Sequence, residues 1–212
     1  MYSGIVQTRA KLIGLEAHDG ALNLTVQVGH DHLEGVKIGA SIALDGICMT
    51  VVDHSDDTAS FNAVQATIEA TNIGDRRVGD LLNFERSLRF GDENGGHAVS
   101  GHVYGVGRIA SMTTVGRGAH VFVEAPPDLM PFIFTKGFIT VDGTSLTVGQ
   151  IRRTEPVFEL NLIPETLRQT VFNLREPNGR VNLEVDYQTV VIVQSINAAI
   201  ERRGQSFDSL PD

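Results

Sequence analysis

Asp45-Gly46-Ile47-Cys48-Met49-Thr50-Val51 returns further along the chain as Asp142-Gly143-Thr144-Ser145-Leu146-Thr147-Val148, with Asp, Gly, Thr and Val at matching places and an offset of 97 residues. Gly4-Ile5-Val6 recurs as Gly101-His102-Val103 at the same offset. Ala66-Thr67-Ile68-Glu69-Ala70-Thr71 is answered by Glu165-Thr166-Leu167-Arg168-Gln169-Thr170, and Asn83-Phe84-Glu85 by Asn182-Leu183-Glu184, both at an offset of 99. Four collinear matches with so little drift imply a duplicated domain and not an array of short repeats. In each copy Asp-Gly reads as a turn in which Gly supplies φ > 0. The alternating residues after it read as a strand with Cys48 and Thr50, or Ser145 and Thr147, on one face. Such a face can hold a polar ligand, or be no more than the solvated side of a strand.

The chain has 212 residues, which the duplication divides into two units of about 95 residues, each large enough for its own core. A hydrophobic fraction of 42% and a charged fraction of 20% are those of a soluble globular protein. A net charge of −9 without any Lys/Arg run argues against nucleic acid and anionic membranes as partners. The single Cys rules out an internal disulfide and most cysteine metal sites, and fits a reducing compartment. The N-terminus lacks a basic region followed by an apolar one, and no stretch approaches the length of a membrane span, so a cytoplasmic location is expected.

Short runs of β-branched residues broken by Gly and Asp predict strands at 22–28, 41–44, 49–52 and 59–64, with short helical pieces at 30–33 and 66–71. In the second copy, strands are expected at 103–109, 120–123, 136–141 and 158–162, with a short helix around 129–134 after Pro126-Pro127. The pattern suggests an all-β fold of small closed barrels or sandwiches and not a βαβ unit. The polar, glycine-rich stretch Phe90 to Gly96 is the natural linker. From Thr189 to Arg203, Val193, Ile196 and Ile200 form an apolar stripe of helical spacing, to be buried either against another copy or against its own domain. The tail beyond is expected to be flexible.

Where matched positions diverge, function has room to break the symmetry. His102 stands where the first copy has Ile5, and Cys48 where the second has Ser145. Thiol, hydroxyl and imidazole together suit proton transfer or nucleophilic addition. Cys48 also reads as a small buried hydrophobe. His97 and His102, five apart in an extended region, point to opposite faces and make a poor metal pair, so no metal is expected. Gly95-Gly96 lacks the spacing of a dinucleotide-binding loop.

Read together, these residues closely resemble the riboflavin synthase family over roughly residues 1–203. The most specific parts are Gly4-Ile5-Val6-Gln7, Gly46 to Val51, Gly95-Gly96-His97, Ser100-Gly101-His102, Lys136-Gly137-Phe138-Ile139, Asp142 to Gly149 and Ile163-Pro164-Glu165-Thr166-Leu167. The resemblance implies two tandem, duplicated six-stranded Greek-key β-barrels plus a C-terminal α-helix. The implied limits are a lumazine-binding barrel at 1–96, a second at 97–186, an oligomerisation helix at 187–203 and a tail at 204–212.

The implied reaction is the dismutation of two 6,7-dimethyl-8-ribityllumazine molecules to riboflavin and 5-amino-6-ribitylaminouracil. It requires no cofactor or metal, and it takes place in a homotrimer, between the first barrel of one subunit and the second barrel of its neighbour. Lumazine synthase is the implied protein partner. Ligand contacts are implied from Gly4, Ile5, Val6, Ser41, Cys48, Met49, Thr50, Asn62, Val64, Ala66 and Thr67 in the first barrel. In the second they are implied from Gly101, His102, Val103, Lys136, Ser145, Leu146, Thr147, Ile163 and Thr166. His102 would help remove a proton from the acidic C7 methyl group, while Cys48 and Ser145, with Asp142 nearby, would polarise or add to ring carbons. Two positions depart from the family pattern: Tyr2 replaces its usual Phe, and Ala66 its common Glu, which the second copy keeps as Glu165. The alternative is a non-catalytic lumazine or flavin carrier of the same fold, a group that has generally lost residues of the Cys48 and His102 type.

Overall fold

The computed structural model describes residues 1–152 and 154–207. In the first half β1 (Thr8–His18), β2 (Ala21–Gln27), β3 (Ser41–Leu44), β4 (Ile47–His54), β5 (Thr58–Ala63) and β6 (Leu81–Arg86) close into an antiparallel barrel in the order β1-β2-β5-β4-β3-β6. In the second half β7 (Gly105–Val115), β8 (Gly118–Glu124), β9 (Phe138–Val141), β10 (Thr144–Arg152), β11 (Val157–Leu162) and β12 (Arg180–Val185) repeat that order as β7-β8-β11-β10-β9-β12. Because β2 pairs with β5 and not with β3, the chain crosses as in a Greek key. Closure leaves neither sheet with a free edge.

Strict alternation fills each barrel from the inside. In β4, Ile47, Met49 and Val51 are buried while Thr50 and Val52 are exposed; in β10, Leu146 and Val148 are buried while Thr147 is exposed. Phe61 and Phe84 anchor one core, Phe158 and Phe172 the other. Three strands have no counterpart among the sequence expectations, and two of them explain why. β6 and β12 are buried on both sides, with Asn83, Glu85, Asn182 and Glu184 no more than 5% exposed. Polar residues there read as a solvated face, yet they are covered by the other barrel and by crossing segments. The third, β1, is irregular, with a register shift between Leu12 and Gly14.

The helical pieces are short. α1 (Gln65–Ala70) and α2 (Pro164–Gln169) follow β5 and β11, and the turns expected near 30 and 130 are single 3₁₀ turns. α3 (Tyr187–Phe207) extends beyond Arg203, where the helix was expected to stop. The tail expected from residue 204 is therefore helical as far as 207, and 208–212 lie outside the described residues. Asp186 caps α3 by accepting bonds from the amides of Gln188 and Thr189. Val190 is buried, but Tyr187, Ile192, Ile196 and Ile200 are each more than half exposed, so the helix does not bury its stripe on its own barrels.

The repeated Asp-Gly turns meet back to back. Asp45 and Gly46, like Asp142 and Gly143, both have positive φ, the geometry of a tight hairpin turn. A Cβ on Gly46 would lie 2.6 Å from the Gly143 nitrogen, and the converse distance is the same, so glycine is required for close approach as well as for the turn. Around this contact the hydrogen bonds obey a pseudo-two-fold axis. The Asn83 side-chain amide donates to the Asp142 carbonyl, and that of Asn182 to the Asp45 carbonyl.

Arg175 bridges both aspartates, its Nη2 lying 2.6 Å from Asp142 Oδ2 and 3.0 Å from Asp45 Oδ2, and Arg76 adds a second cation to Asp45. Burial alone would favour a neutral guanidine, but the paired carboxylates outweigh it and hold the Arg175 proton more tightly than usual. Removing this one cation leaves two buried carboxylates facing each other. Arg175→Leu is expected to cost about 3–5 kcal/mol in urea denaturation. Arg180→Ala, which breaks the half-exposed pair with Asp75, should cost under about 1 kcal/mol.

Candidate functional site

Two short segments cross between the barrels, each held by a buried glutamate of its own barrel. Glu85 on β6 accepts from the amide and hydroxyl of Ser3 and from the amide of Gly4. Glu184 on β12 accepts from the same groups of Ser100 and Gly101. Burial raises both carboxyls above the ordinary glutamate range, and these hydrogen bonds oppose the rise. Between the segments, Tyr2 and Val99 exchange backbone bonds of 2.7 and 3.0 Å.

Each segment then docks on the catalytic-candidate strand of the other barrel. The Gly4 carbonyl accepts from the Ser145 amide at 2.7 Å, and the Gly101 carbonyl from the Cys48 amide at 2.9 Å. Both glycines have positive φ, and a Cβ on either would meet the Cβ of Ser145 or Cys48 at 2.7 Å. The grouping expected from sequence is therefore exchanged. Gly4, Ile5 and Val6 belong with Ser145 and Thr166 of the second barrel. Gly101 belongs with Cys48 of the first, and Val103 packs against the first barrel's core. Linear order could not show this, because the crossing is made by tertiary contacts.

The second-barrel cleft has a volume of about 350 Å³ and is lined by Gly4 to Val6, Thr144, Ser145 and residues of α2, including Glu165, Thr166 and Arg168. Arg168 pairs with Glu165 on its rim, which lowers the Glu165 carboxyl, and Gln169 donates to the Gln7 carbonyl. In the first copy Ala66 and Glu69 occupy the positions of that ion pair. A cleft of about 640 Å³ on the first barrel, lined by Asp31, His32, Glu34, Arg86 and Arg89, contains none of the expected site residues.

The remaining expected residues separate by face. Thr50, Asn62, Val64, Ala66, His102, Lys136, Thr147 and Ile163 are exposed, and Ser41, Cys48, Thr67, Val103, Ser145 and Thr166 are half-buried. Met49 and Leu146 are not on that face: alternation turns their side chains into the barrel cores. Asp142 is also set apart. Its carboxylate is 1% exposed and takes bonds from Asn72, Arg175 and the Asn182 amide, which fixes it within the junction. Lys136 stands out by its backbone, because a φ of +66° places a lysine where the first copy has Gly39. Among the described residues no group of three His, Cys, Asp or Glu side chains gathers where it could hold a metal ion.

One residue missing from the expected set is His97. It is 8% exposed, its Nδ1 lies 2.7 Å from Ser145 Oγ, its Nε2 lies 3.3 Å from Thr140 Oγ1, and its ring stacks on Phe138. Nothing in its sequence spacing points to Ser145, from which it is separated by 48 residues. Burial lowers its basicity below the ordinary histidine value of 6.5, and the charge of Asp186 opposes this. As pH falls below about 6.5 the unfolded chain therefore takes up a proton that the folded chain refuses, and stability declines. Denaturation midpoints at pH 7.5 and 5.5 should show a larger acid loss in the natural protein than in His97→Asn.

The family model for the lumazine binding domain matches twice, over residues 3–87 and 100–186. The riboflavin synthase of Escherichia coli (strain K12) is 37% identical over 204 residues, 96% of this chain and 95% of that one. Those of Chlamydia muridarum and Bacillus subtilis (strain 168) are 37% and 31% identical, covering 92% and 97% of this chain and 95% and 94% of theirs. Crystal structures of LumP complexed with riboflavin and with 6,7-dimethyl-8-(1'-D-ribityl) lumazine superpose with TM-scores of 0.81 and 0.80. They are 27% and 25% identical to this chain and cover 88% of it and 100% and 99% of their own. With both barrels matched by the domain model and nearly the whole chain aligned to these enzymes, the protein belongs to the riboflavin synthase family.

Proposed function

We propose that the chain is a riboflavin synthase, a transferase that moves a four-carbon unit between two molecules of 6,7-dimethyl-8-ribityllumazine to give riboflavin and 5-amino-6-ribitylaminouracil. The observation that carries this reading is the duplicated site: Cys48 and Ser145 occupy matched places, and the same kind of crossing segment docks on each. A reaction between two identical molecules needs two like pockets. Pairing and orienting them replaces much of the entropic barrier.

Within these pockets we assign ligand contact to Cys48, Ser145 and His102, a reading supported by the incomplete burial of all three side chains. Asp142, with its carboxylate taken up by the junction, serves to hold the barrels. Met49 and Leu146 turn their side chains into the barrel cores and pair with Ile42 and Ile139 along the backbone, so their part is to hold the strand that carries Cys48 or Ser145. The exposed face of α3 supports a homotrimer in which one subunit's first-barrel site meets another's second-barrel site. The protein needs no cofactor, works in the cytoplasm, and draws its substrate from lumazine synthase.

The purified protein mixed with the ribityllumazine should form one riboflavin per two lumazines consumed, followed by absorbance. Tight binding with no riboflavin would show a chromophore carrier instead. Ile196→Glu combined with Ile200→Glu is expected to reduce the mass seen by light scattering to that of one chain and to abolish turnover. Lys136→Gly should relieve about 1 kcal/mol of left-handed backbone strain while weakening lumazine binding. A variant that is more stable and binds equally well would remove Lys136 from the site.

A further inference from the structure

The two sites differ in what stands behind the reactive side chain. In the second barrel, His97 lies against Ser145, with Thr140 at its far nitrogen and Phe138 beneath its ring. The matched positions in the first barrel are Cys48, Ala43 and Ser41, and the residue reaching Cys48 is Tyr2, whose hydroxyl donates to Sγ at 3.2 Å. Tyr2 is fully buried and its hydroxyl holds its proton more tightly than an ordinary phenol, because of burial and then of Cys48 itself. A tyrosine therefore gives a hydrogen bond to sulfur where, in the other copy, a histidine is placed to take one from oxygen.

At 2.7 Å the Ser145–His97 contact is a close hydrogen bond whose direction is set by the tautomer of the imidazole. Burial keeps the imidazole neutral, so one nitrogen accepts and the other donates. With Nδ1 accepting from Ser145, Nε2–H is left to point at Thr140 Oγ1.

We propose that His97 is a positioning residue of the second-barrel site: it takes the Ser145 hydroxyl proton in a hydrogen bond to Nδ1 and so turns the Oγ lone pairs toward the bound lumazine. Thr140 fixes the tautomer and Phe138 fixes the ring plane. The two pockets are thereby chemically distinct, one presenting an oxygen lone pair backed by a base, the other a thiol that already accepts a bond from Tyr2.

This role rests on the synthase reading, so its test has one arm that does not need turnover. Nitrogen-15 NMR of the full-length protein at neutral pH, with His97 assigned by comparison with His97→Asn, should show Nδ1 unprotonated and Nε2 protonated, and Ser145→Ala should move the Nδ1 resonance. A protonated Nδ1 would overturn the proposal whether or not riboflavin is made. In the kinetic arm His97→Phe, which keeps the ring stack, should lower kcat about tenfold or more with KM little changed. His97→Asn, which keeps an acceptor near the Nδ1 position, should recover part of that loss. Added to Ser145→Ala, His97→Phe should cost nothing further, because both remove the same unit. Losses that multiply, or an undiminished kcat in His97→Phe, would sink the idea. Absence of riboflavin from the natural protein would instead count against the synthase reading and leave the NMR arm to decide on His97.

Discussion

The contact of Gly46 with Gly143 is the constraint on which the architecture depends. Two tight turns of the same sequence can meet backbone to backbone only if neither carries a Cβ, and their flanking aspartates are then brought into one buried site. Two carboxylates so close would repel, and Asp45 is indeed pushed above the ordinary aspartate range by burial, against the pull of Arg175. Arg175 resolves the conflict by serving both, and the crossed amides of Asn83 and Asn182 satisfy the carbonyls that the turns leave behind. The barrels are thus joined by polar groups that are nearly all paired. Such a junction contributes specificity of docking more than raw stability.

That docking decides where the sites fall. With the turns locked, the strands that leave them, β4 and β10, point their Cys48 and Ser145 faces toward the segments arriving from the other half. Gly4 and Gly101 close over those faces because they too lack a side chain at the point of contact. Neither candidate pocket is built from one barrel's strands alone. The second-barrel cleft needs residues 4–6 from the chain's start, and the Cys48 site needs Gly101 from beyond the linker. Function in this fold is therefore linked to interdomain geometry. A mutation that loosens the Asp45–Arg175–Asp142 cluster should be felt in both pockets, although none of those side chains touches either.

Much of this was legible in the sequence because duplication supplies its own alignment. Matched residues mark the turns and the alternating strands, and divergent pairs such as Cys48/Ser145 and Ile5/His102 mark places where the copies carry different side chains. What stayed hidden was set by tertiary crossing. Asn83, Glu85, Asn182 and Glu184 look like outward-facing surface residues and are buried, because the other barrel covers the asparagines and the crossing segments cover the glutamates. Met49 and Leu146 sit beside reactive neighbours in sequence but on the opposite side of the pleat. The exchange of segments 4–6 and 101–103 leaves the pattern of each copy unchanged, so no periodicity could show it. His97 left one faint signal in the sequence: Thr140 stands where the first copy has Ala43, a hydroxyl that would require a partner if buried.

The departure from symmetry at His97 and Tyr2 is one of side chains and not of backbone. The two crossing segments are related by the pseudo-axis, yet they carry different groups to the two strands. His97 approaches Ser145 from the stretch between the barrels, while Tyr2 approaches Cys48 from two residues before Gly4. Duplication alone gives two equal pockets, which suits the binding of two identical molecules. A reaction that makes one of them a donor and the other an acceptor asks for pockets that differ. Here Cys48 against Ser145 and Tyr2 against His97 introduce that difference without disturbing the shared turns that hold the barrels together.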